Sequence, residues 1–325
     1  MEKTPLNLFK QKHMMSREIP ASPFMKKLGY GTGICVYLLP NKLKRNQTAS
    51  PWAVKKTLKL KHDTTMYGKR LDFEAEVLRR LTHKNIVEFK AYEMSQDGRF
   101  NLCMEACSMS LGDLLEKRYE DKLGPLEVFK INTLGLDISK ALNYLHNEVL
   151  MMHGDMKSFN ILIKGNFGIC KLCDFGVSLK VKKDGLLDFD KDPKAHYVGT
   201  DLWSAPEIFE EDSTLISTKS EIFSFGLVFY ECLTCVPPNT LEMMDKKALD
   251  FDDVACEEIE EIEDEEDEGP IYGIRPPFPE DMKLSEDYND ILHIFNICTD
   301  DDPEQRPDAR KLENIFNELN IIVID

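Results

Sequence analysis

A polar stretch in the middle of the chain, residues 153–160, constrains the fold more than any other part of the sequence. It runs His-Gly-Asp-Met-Lys-Ser-Phe-Asn and places a carboxylate, an ammonium and an amide within six residues. The stretch lies between a helix-like run that ends at His146 and the apolar segment 161–163. Loops on a rigid scaffold commonly carry chemistry. Taken alone, however, the stretch is equally well a polar surface turn, so other segments must decide.

Two further motifs accompany it. Asp174-Phe175-Gly176 begins fourteen residues after Asn160, and Trp52-Ala53-Val54-Lys55 lies much earlier in the chain. In this order the three segments resemble the signature set of eukaryotic protein kinases, in which each has a separate role in phosphoryl transfer. The resemblance covers about residues 24–320. It implies an α+β, bilobal fold with a small β-rich N-lobe and a larger, mostly helical C-lobe.

The resemblance and the local composition divide the chain into parts. Residues 1–20 are polar and basic without periodicity, and we expect them to form a disordered tail. Residues 21–107 correspond to the kinase N-lobe and hinge. Residues 108–320 correspond to the C-lobe and carry an acidic insert at 250–268. Residues 321–325 form a short C-terminal tail.

The net charge of −17 is concentrated in the acidic insert. Residues 250–268 contain 13 acidic residues and no Lys or Arg, which leaves −4, the difference between −17 and −13, for the rest of the chain. Nucleic-acid binding needs a basic surface that displaces counterions from phosphates. We therefore expect no nucleic-acid partner. The insert is either a solvated loop or the binding surface of an acidic adaptor.

The N-terminal residues lack the apolar core of a signal peptide, and no run approaches the roughly 18 apolar residues of a membrane span. We expect a cytoplasmic or nuclear protein that does not bind membranes. In a reducing compartment its nine cysteines are free thiols or metal ligands. Two pairs have the spacing Cys-x-x-Cys, Cys170 with Cys173 and Cys232 with Cys235. No other Cys or His cluster completes either pair, so we expect no zinc site.

Residues 28–37 indicate two short strands around a glycine turn. Glycine lets the backbone approach phosphate groups closely, because no Cβ intervenes. Gly29, Gly31 and Val36 match the kinase pattern Gly-x-Gly-x-x-Gly-x-Val, whereas the third glycine is displaced to Gly33. The resemblance implies a nucleotide-binding loop with altered geometry, and the alternative is a simple hairpin turn.

A lysine and a glutamate are predicted to pair near this loop. Lys55 follows Ala-Val in a strand predicted over 51–57, the context in which kinases place the lysine that binds the phosphates. Glu74 lies on a helix predicted over about 69–81 from its apolar stripe. Its register suits pairing with Lys55 better than that of Glu76.

The resemblance implies which residues bind the cofactors, ATP and Mg²⁺. Lys55 would hold the α- and β-phosphates. Asp174 and Asn160 would bind Mg²⁺, because this hard cation prefers oxygen ligands. The adenine would meet four apolar side chains, the gatekeeper residue and two hinge residues: Leu28, Val36, Ala53 and Leu162, then Met104, then Glu105 and Cys107.

Three residues bear on the acceptor group. Asp155 would accept or orient the proton of the substrate hydroxyl, and Lys157 would neutralise charge on the γ-phosphate. A Lys two residues after the catalytic Asp resembles serine/threonine kinases. Thr200 is predicted to hydrogen-bond both Asp155 and Lys157, which favours the same specificity. The resemblance therefore predicts a protein serine/threonine kinase with protein substrates.

Other positions are predicted to be structural. The resemblance implies that residues 199–207, which close with Ala-Pro-Glu, form the segment that receives the peptide substrate, and that Glu207 pairs with Arg306. Glu221 replaces the family's usual Asp, whose carboxylate accepts backbone N–H groups of the catalytic loop. In this chain the catalytic loop corresponds to residues 153–160. The segment 180–196 is polar and lacks periodicity, so we expect it to be irregular and mobile.

A narrower resemblance connects the His-Gly-Asp variant and the acidic insert with a group of kinases similar to mitogen-activated-protein-kinase kinases. It implies dual specificity, a role in mitosis and phosphorylation of the chain itself. Thr4 and Ser22 each precede a proline and are predicted sites for upstream proline-directed kinases. The group's PDZ-domain partner does not suit this chain, because a PDZ ligand ends in a hydrophobic residue and this sequence ends in Asp325.

Gly154 stands where most kinases have an Arg that contacts a phosphorylated residue. Glycine offers no such contact, so we predict that control lies elsewhere, at sites such as Thr4 or Ser22. Gly154, the displaced Gly33 and Glu221 also motivate a second hypothesis, a pseudokinase scaffold. A third is an adaptor whose working part is the acidic insert.

Overall fold

The computed structural model of the chain describes residues 26–31, 34–39, 51–57, 64–94, 100–240 and 272–322. Within these ranges we found no helix that combines the length and the apolar character needed to cross a membrane. Several predictions fall on positions outside the described residues: the tail 1–20 with Thr4, then Ser22, Gly33, the acidic insert 250–268 and the terminal Asp325.

The described residues form two compact units. The first runs to Thr82 and includes Val87–Ala106, and the second comprises His83–Ile86 and the chain from Cys107 onward. The first unit is built on a β-sheet with one helix, and the second is mostly helical. This confirms the predicted α+β architecture of a smaller β-rich unit and a larger helical one.

The smaller unit contains an antiparallel sheet in the order β1-β2-β3-β5-β4. Its strands and its helix have the following bounds: β1 (Lys26–Gly31), β2 (Ile34–Leu39), β3 (Trp52–Thr57), α1 (Thr64–Arg80), β4 (Phe89–Met94) and β5 (Phe100–Glu105). Helix α1 begins before the predicted residue 69. Its buried apolar stripe of Leu71, Ala75 and Leu78 fixes the face that packs inward.

The larger unit combines short strands with long helices. In chain order these are β6 (Met109–Ser110), α2 (Leu111–Glu120), α3 (Val128–Asn143), β7 (Met151–Met152), β8 (Ile161–Lys164), β9 (Ile169–Leu172), β10 (Leu179–Lys180), α4 (Thr218–Thr234), α5 (Asn289–Cys298) and α6 (Ala309–Ile322). Strands β6, β8 and β9 form one sheet, and β7 pairs with β10. Residues 153–160 thus lie between β7 and β8, which hold both ends of the stretch.

Helix α4 is the buried centre of the larger unit. Phe223, Phe225 and Phe229 are fully buried, and so are nearly all their neighbours on the helix. Ser217 begins the helix as its N-cap, with its hydroxyl accepting the Lys219 N–H. A helix that is apolar on all sides belongs in a core. Any carboxylate on it must therefore find partners inside the protein.

Helix α3 ends at Asn143, before His146, where the sequence predicted the end of the helical run. After Asn143 the chain widens into a π-helical turn, Tyr144–Val149, and stops at Leu150 with φ +58°. Such turns insert one residue into a helix and are frequent at functional sites. His146 lies within this turn.

The segment expected to be irregular also has defined structure. Val181 forms a β-bridge with Leu187, and Leu186 forms one with Ser217. Val181 and Leu187 of this polar segment, together with Leu179 just before it, pack with Met152 and Ile216. A few buried side chains are therefore enough to order a stretch whose composition is largely polar.

The contact between α3 and α6 yields a stability prediction. A Cβ added at Gly135 would lie 2.3 Å from ring carbons of Phe316, which is fully buried. We expect Gly135→Ala to lower the free energy of unfolding by about 1–3 kcal/mol, because a packed core relaxes poorly around extra volume. Chemical denaturation measures the change.

The matched control is Gly68→Ala, a substitution in α1 with no atom within 4 Å of the added Cβ. It should raise the free energy of unfolding by about 0.5–1 kcal/mol, since alanine is the better helix former. Equal effects of the two substitutions would contradict the close approach of Phe316 to α3.

Candidate active site

Asp155 lies at the centre of a hydrogen-bonded network in the larger unit. Its Oδ1 accepts the hydroxyl of Thr200 at 2.7 Å, and its Oδ2 lies 2.8 Å from Nζ of Lys157. Lys157 Nζ also donates to Thr200 Oγ1 at 2.7 Å. Both predicted bonds of Thr200 are therefore present. The carboxylate is held between a cation and a hydroxyl, which fixes its orientation.

Asn160 closes the network from the other side. Its Nδ2 donates to Asp155 Oδ2 at 3.0 Å and to the Asp155 carbonyl oxygen at 2.7 Å. Its own backbone carbonyl accepts the Cys173 N–H at 2.9 Å, which brings the adjacent Asp174 to the same region. Because the amide nitrogen of Asn160 is used by Asp155, its amide oxygen is the atom left for a cation.

Asp174 has a left-handed backbone conformation, with φ +65°. Such angles are uncommon outside glycine and cluster at functional sites. The oxygen donors of Asp174 and Asn160 are the kind that hard divalent cations prefer. The residues present therefore fit a divalent metal ion in the chemical type of their donors, and the Cys173 N–H links their two backbone segments.

His153 connects Asp155 to the Asp-Phe-Gly motif. It is fully buried, its Nδ1 accepts the Asp155 N–H at 3.2 Å and its Nε2 donates to the Cys173 carbonyl oxygen at 2.7 Å. The ring also packs edge-on against Phe175, with centroids 4.9 Å apart. These partners require the proton on Nε2. One imidazole thus ties the catalytic loop to the residues around Asp174.

Glu221 of α4 holds the catalytic loop from beneath. Its Oε1 accepts the Gly154 N–H at 2.8 Å, and its Oε2 lies 2.6 Å from His146 Nε2. Burial acts to raise the pKa of Glu221, but the hydrogen bond and charge of His146 and the Gly154 N–H outweigh it and hold this pKa below its ordinary value. The glutamate therefore accepts a catalytic-loop N–H, as predicted for the family's shorter Asp.

Gly154 is required by its own geometry. Its φ is +82°, and a Cβ added there would lie 2.6 Å from the carbonyl oxygen of Val177. A side chain at this position would thus meet both an unfavourable backbone angle and a backbone clash. The loop therefore leaves no room for a side chain at position 154.

The segment that follows the Asp-Phe-Gly motif keeps its hydroxyl groups in internal hydrogen bonds. The hydroxyl of Ser178 donates to the Phe175 carbonyl oxygen at 3.0 Å, and that of Ser204 donates to the Thr200 carbonyl oxygen at 3.2 Å. Both serines are buried. Together with Thr200, they are the Ser and Thr residues between Val177 and Glu207.

The end of this segment is anchored by the predicted ion pair. Two nitrogens of Arg306 contact the two oxygens of Glu207 at 2.7 and 2.9 Å, and the arginine is only 1% exposed. Ser220 also donates to Glu207, at 2.6 Å. The pair lies among structural contacts and does not touch Asp155 in the network described above, so its role is to hold the segment in place.

The smaller unit contains the predicted pair of Lys55 and Glu74. Lys55 Nζ lies 2.7 Å from Glu74 Oε2, and both side chains are buried. Glu76, which was the alternative partner, is exposed. Val36 is the register partner of Lys55 on β2, and Ala53 is the partner of Met104 on β5. The sheet thus aligns the predicted phosphate-binding and adenine-binding positions of this unit.

The remaining predicted positions are placed as follows. Gly29 and Gly31 lie on β1 opposite β2, and Leu28 lies on the same strand. Glu105 ends β5, and its carboxylate accepts the Glu88 N–H at 3.0 Å. Cys107 begins the larger unit's main chain segment, and Leu162 is half-buried on β8.

The eight cysteines of the described residues are free thiols, and these residues contain no cluster of three or more His, Cys, Asp or Glu side chains able to hold a metal.

Sequence analysis missed three participants: His146, Ser158 and Glu231. His146 was seen only as the end of a helix. Glu231 was passed over within an apolar helix, although an acidic residue on a helix buried on all sides is itself a signal. Ser158 was read only as part of the polar stretch, yet its hydroxyl donates to Glu231 at 2.5 Å.

The chain matches the sequence pattern of the protein kinase domain over residues 23–315. It therefore belongs to the protein kinase family, which uses ATP and a divalent metal ion to phosphorylate proteins. The chain is 38% identical over 315 residues to human lymphokine-activated killer T-cell-originated protein kinase, and the alignment covers 94% of both chains.

More distant relatives share the domain within longer proteins. The chain is 29% identical over 253 residues to dual specificity protein kinase shkD of Dictyostelium discoideum. This alignment covers 78% of this chain and 29% of that protein. It is 32% identical over 187 residues to probable serine/threonine-protein kinase drkC of the same organism, covering 57% of this chain and 24% of that protein.

The geometry at Gly154 predicts a loss of activity on substitution. We expect Gly154→Ala to lower kcat by at least about ten-fold, because the new Cβ displaces either Val177 or the backbone that carries Asp155. Steady-state kinetics with a protein substrate measures it. Gly165→Ala is the matched control, since Gly165 has φ +69° but open space around the added Cβ.

The control substitution should cost about 1–2 kcal/mol of stability for the left-handed angle and leave kcat unchanged. If both glycine variants lost kcat equally, backbone strain alone would explain the result. The contact with Val177 would then have no part in the activity.

The buried pair in the smaller unit predicts a second contrast. Glu74→Gln removes the charge that fixes Lys55 and should lower kcat/KM for ATP by about ten-fold or more. Glu76→Gln changes an exposed residue two positions away on the same helix and should stay within about two-fold. Kinetics at varied ATP concentration tests the pair, and equal losses in both variants would argue against a specific role for Glu74.

Proposed function

We propose that this protein is a serine/threonine kinase that transfers the γ-phosphate of Mg²⁺-bound ATP to hydroxyl groups of protein substrates. The observation that carries the proposal is the closed network of Asp155, Lys157 and Thr200. It holds a carboxylate, a cation and a hydroxyl together at the place where the family carries out its chemistry.

Asp155 is proposed to act on the acceptor hydroxyl. As the hydroxyl oxygen forms its bond to the γ-phosphorus, Asp155 takes up or orients its proton. The bond between the γ-phosphorus and the bridging oxygen breaks, and ADP leaves with the electron pair. Lys157 balances the negative charge that is spread over the transferred group. Because Lys157 already contacts Asp155, the two need little rearrangement.

The nucleotide and metal are proposed to use the remaining site residues. Lys55, fixed by Glu74, binds the α- and β-phosphates, and the strand residues Val36 and Ala53 contact the adenine. Asn160 and Asp174 hold the metal. A bound Mg²⁺ neutralises phosphate charge and orients the γ-phosphate. The chain's own contribution is the hydrogen bond from the Cys173 N–H to the Asn160 carbonyl oxygen, which links the segment of Asp174 to that of Asn160.

Two features support serine/threonine specificity. Lys157 follows Asp155 by two residues, as in the serine/threonine kinases, and Thr200 bonds both of them. The relative shkD is named a dual specificity protein kinase, so tyrosine is a further acceptor to be tested. A role in mitotic signalling rests on the likeness to the human kinase. The alternative of an inactive scaffold is less well supported, since Gly154 and Glu221 depart from the family in sequence but still bond each other.

Gly154 also bears on regulation. Because position 154 carries no guanidinium, we propose that activity does not depend on a phosphate bound at this loop. Upstream control would then act elsewhere, and the proline-directed positions Thr4 and Ser22 are the proposed sites.

A kinase assay with site mapping tests the proposal. Purified protein is incubated with Mg-ATP and equimolar peptides that differ only in a Ser, Thr or Tyr acceptor. We expect phosphate on Ser and Thr, with incorporation lowered at least about a hundred-fold by Lys55→Met and by Asp174→Ala. Phosphosite mapping of the protein itself then reports autophosphorylation.

Equal incorporation by the three proteins would show that a contaminating kinase is responsible. Incorporation confined to tyrosine would overturn the proposed specificity while leaving the kinase assignment intact. Replacing Mg²⁺ with Ca²⁺ at the same concentration separates the metal requirement from the peptide preference, because Ca²⁺ takes larger coordination shells.

A further inference from the structure

Glu231 is a buried carboxylate that the proposed chemistry does not use. It lies near the end of α4 and is 2% exposed. Its Oε1 accepts the hydroxyl of Ser158 at 2.5 Å, and its Oε2 accepts the indole N–H of Trp203 at 2.8 Å. Both donors are themselves buried. A carboxylate in this position costs free energy unless its hydrogen bonds are satisfied.

The two donors belong to two different parts of the active site. Ser158 directly follows Lys157 and begins the 3₁₀ turn that ends with Asn160. Trp203 ends the 3₁₀ turn that begins immediately after Thr200. One side chain on the central helix therefore binds the catalytic loop through one oxygen and the segment after Thr200 through the other.

This link is separate from the one made by Thr200. Thr200 joins the same two segments at the reacting side, through Asp155 and Lys157. The contact through Glu231 lies deeper, on α4. Contacts at two separate places fix both the separation and the angle of two segments, whereas contacts at one place leave them free to pivot.

We propose that Glu231 is a positioning residue that sets the placement of the peptide-receiving segment relative to the catalytic loop. It acts through Ser158 and Trp203 and touches no reacting atom. The inference rests on the proposed function and adds to it which residue aligns a bound protein substrate with Asp155.

The charge state of Glu231 supports this role. Burial raises the pKa of Glu231 to about 7, against the opposing effects of Ser158, Trp203 and the charge of Lys157. The other titratable groups around it are the buried thiols of Cys232 and Cys235 on its own chain segment, and Glu116 of α2. Glu116 and Glu231 line one small cavity. Among these groups, Lys157 alone carries positive charge.

Protonation changes what Glu231 can bind. The carboxylate accepts from both donors at once. A protonated carboxyl group keeps one accepting oxygen for Trp203, whose N–H can only donate, and turns its O–H toward Ser158. The geometry of the catalytic-loop contact therefore differs between the two states, which interconvert near neutral pH.

Ionisation of Glu231 favours the alignment of the two segments but lowers the stability of the fold. The folded-state pKa of Glu231 lies above its ordinary value of 4.5. Its contribution to stability is therefore complete below about pH 4.5 and is lost as the pH rises through about 7. The ionised form that aligns both segments is the less stable one, as expected of a group kept for function.

The first experiment removes each contact separately. Trp203→Phe keeps an aromatic side chain but deletes the N–H together with the second ring of the indole, and Ser158→Ala deletes the hydroxyl. Each should raise KM for a peptide substrate by about ten-fold with little change in KM for ATP. The double variant should lose no more than the worse single one, because either loss leaves the segments joined only through Thr200.

Ser139→Ala is the matched control for the serine. Ser139 is fully buried on α3, and its hydroxyl donates to the Leu136 carbonyl oxygen of the same helix. This variant should leave KM for the peptide unchanged. Additive effects of Ser158→Ala and Trp203→Phe, or a loss that falls on KM for ATP, would overturn the proposed coupling.

The second experiment uses Glu231→Gln, which keeps the shape and removes the charge. In the unchanged protein, kcat/KM for the peptide should rise by up to about ten-fold between about pH 6 and about pH 8 as Glu231 ionises. The variant should lack this rise, yet its melting temperature at pH 8 should equal or exceed that of the unchanged protein. A residue with a purely structural role would instead lose stability and activity together.

The outcomes separate this inference from the proposed function. If the unchanged protein phosphorylates no Ser or Thr peptide, the proposed function fails. If it does so but Glu231→Gln retains the same pH profile, only the role of Glu231 is overturned.

Discussion

The need to partner buried carboxylates on α4 is the constraint on which the larger unit depends. A charge withdrawn from water is costly unless hydrogen bonds compensate it. Helix α4 carries two such groups, Glu221 and Glu231, and each is bound at both oxygens. The donors are His146 of the π-helical turn, Gly154 and Ser158 of residues 153–160, and Trp203 of the segment after Thr200. The core around α4 is therefore complete only when the catalytic loop and the segment after Thr200 are in place.

The smaller unit also contains a buried carboxylate that is bound by a partner. A buried ion pair joins β3 to α1 through Lys55 and Glu74. The Arg306 and Glu207 pair in the larger unit is buried as well, but backbone carbonyls of Asp300 and Lys219 also accept from the arginine. A satisfied pair of that kind anchors structure. We propose a different use for the pair of Lys55 and Glu74, because Lys55 lies at the position where the family places the lysine that binds phosphates.

Sequence reasoning predicted the parts of the fold that local patterns encode. Strand β3 matches its predicted range of 51–57 to within one residue, because its aromatic and β-branched residues favour a strand. It missed features set by tertiary contacts. Residues 64–68 include two threonines and a glycine, which are weak helix formers, yet they extend α1. The π-helical turn after Asn143 is invisible to a search for a 3.6-residue period, and Glu231 was missed because one acidic residue barely alters an apolar pattern.

The internal hydrogen bonds of Ser178, Thr200 and Ser204 have a consequence for enzymes that act on this chain. Another kinase needs its acceptor hydroxyl accessible and the backbone around it extended. The hydroxyls of Ser178 and Ser204 are buried and bound to nearby carbonyl oxygens, so another kinase reaches them only after the segment opens locally. The rate of such a modification would follow the small fraction of open molecules, as amide hydrogen exchange does for a protected site. The segment thus limits its own modification by staying folded.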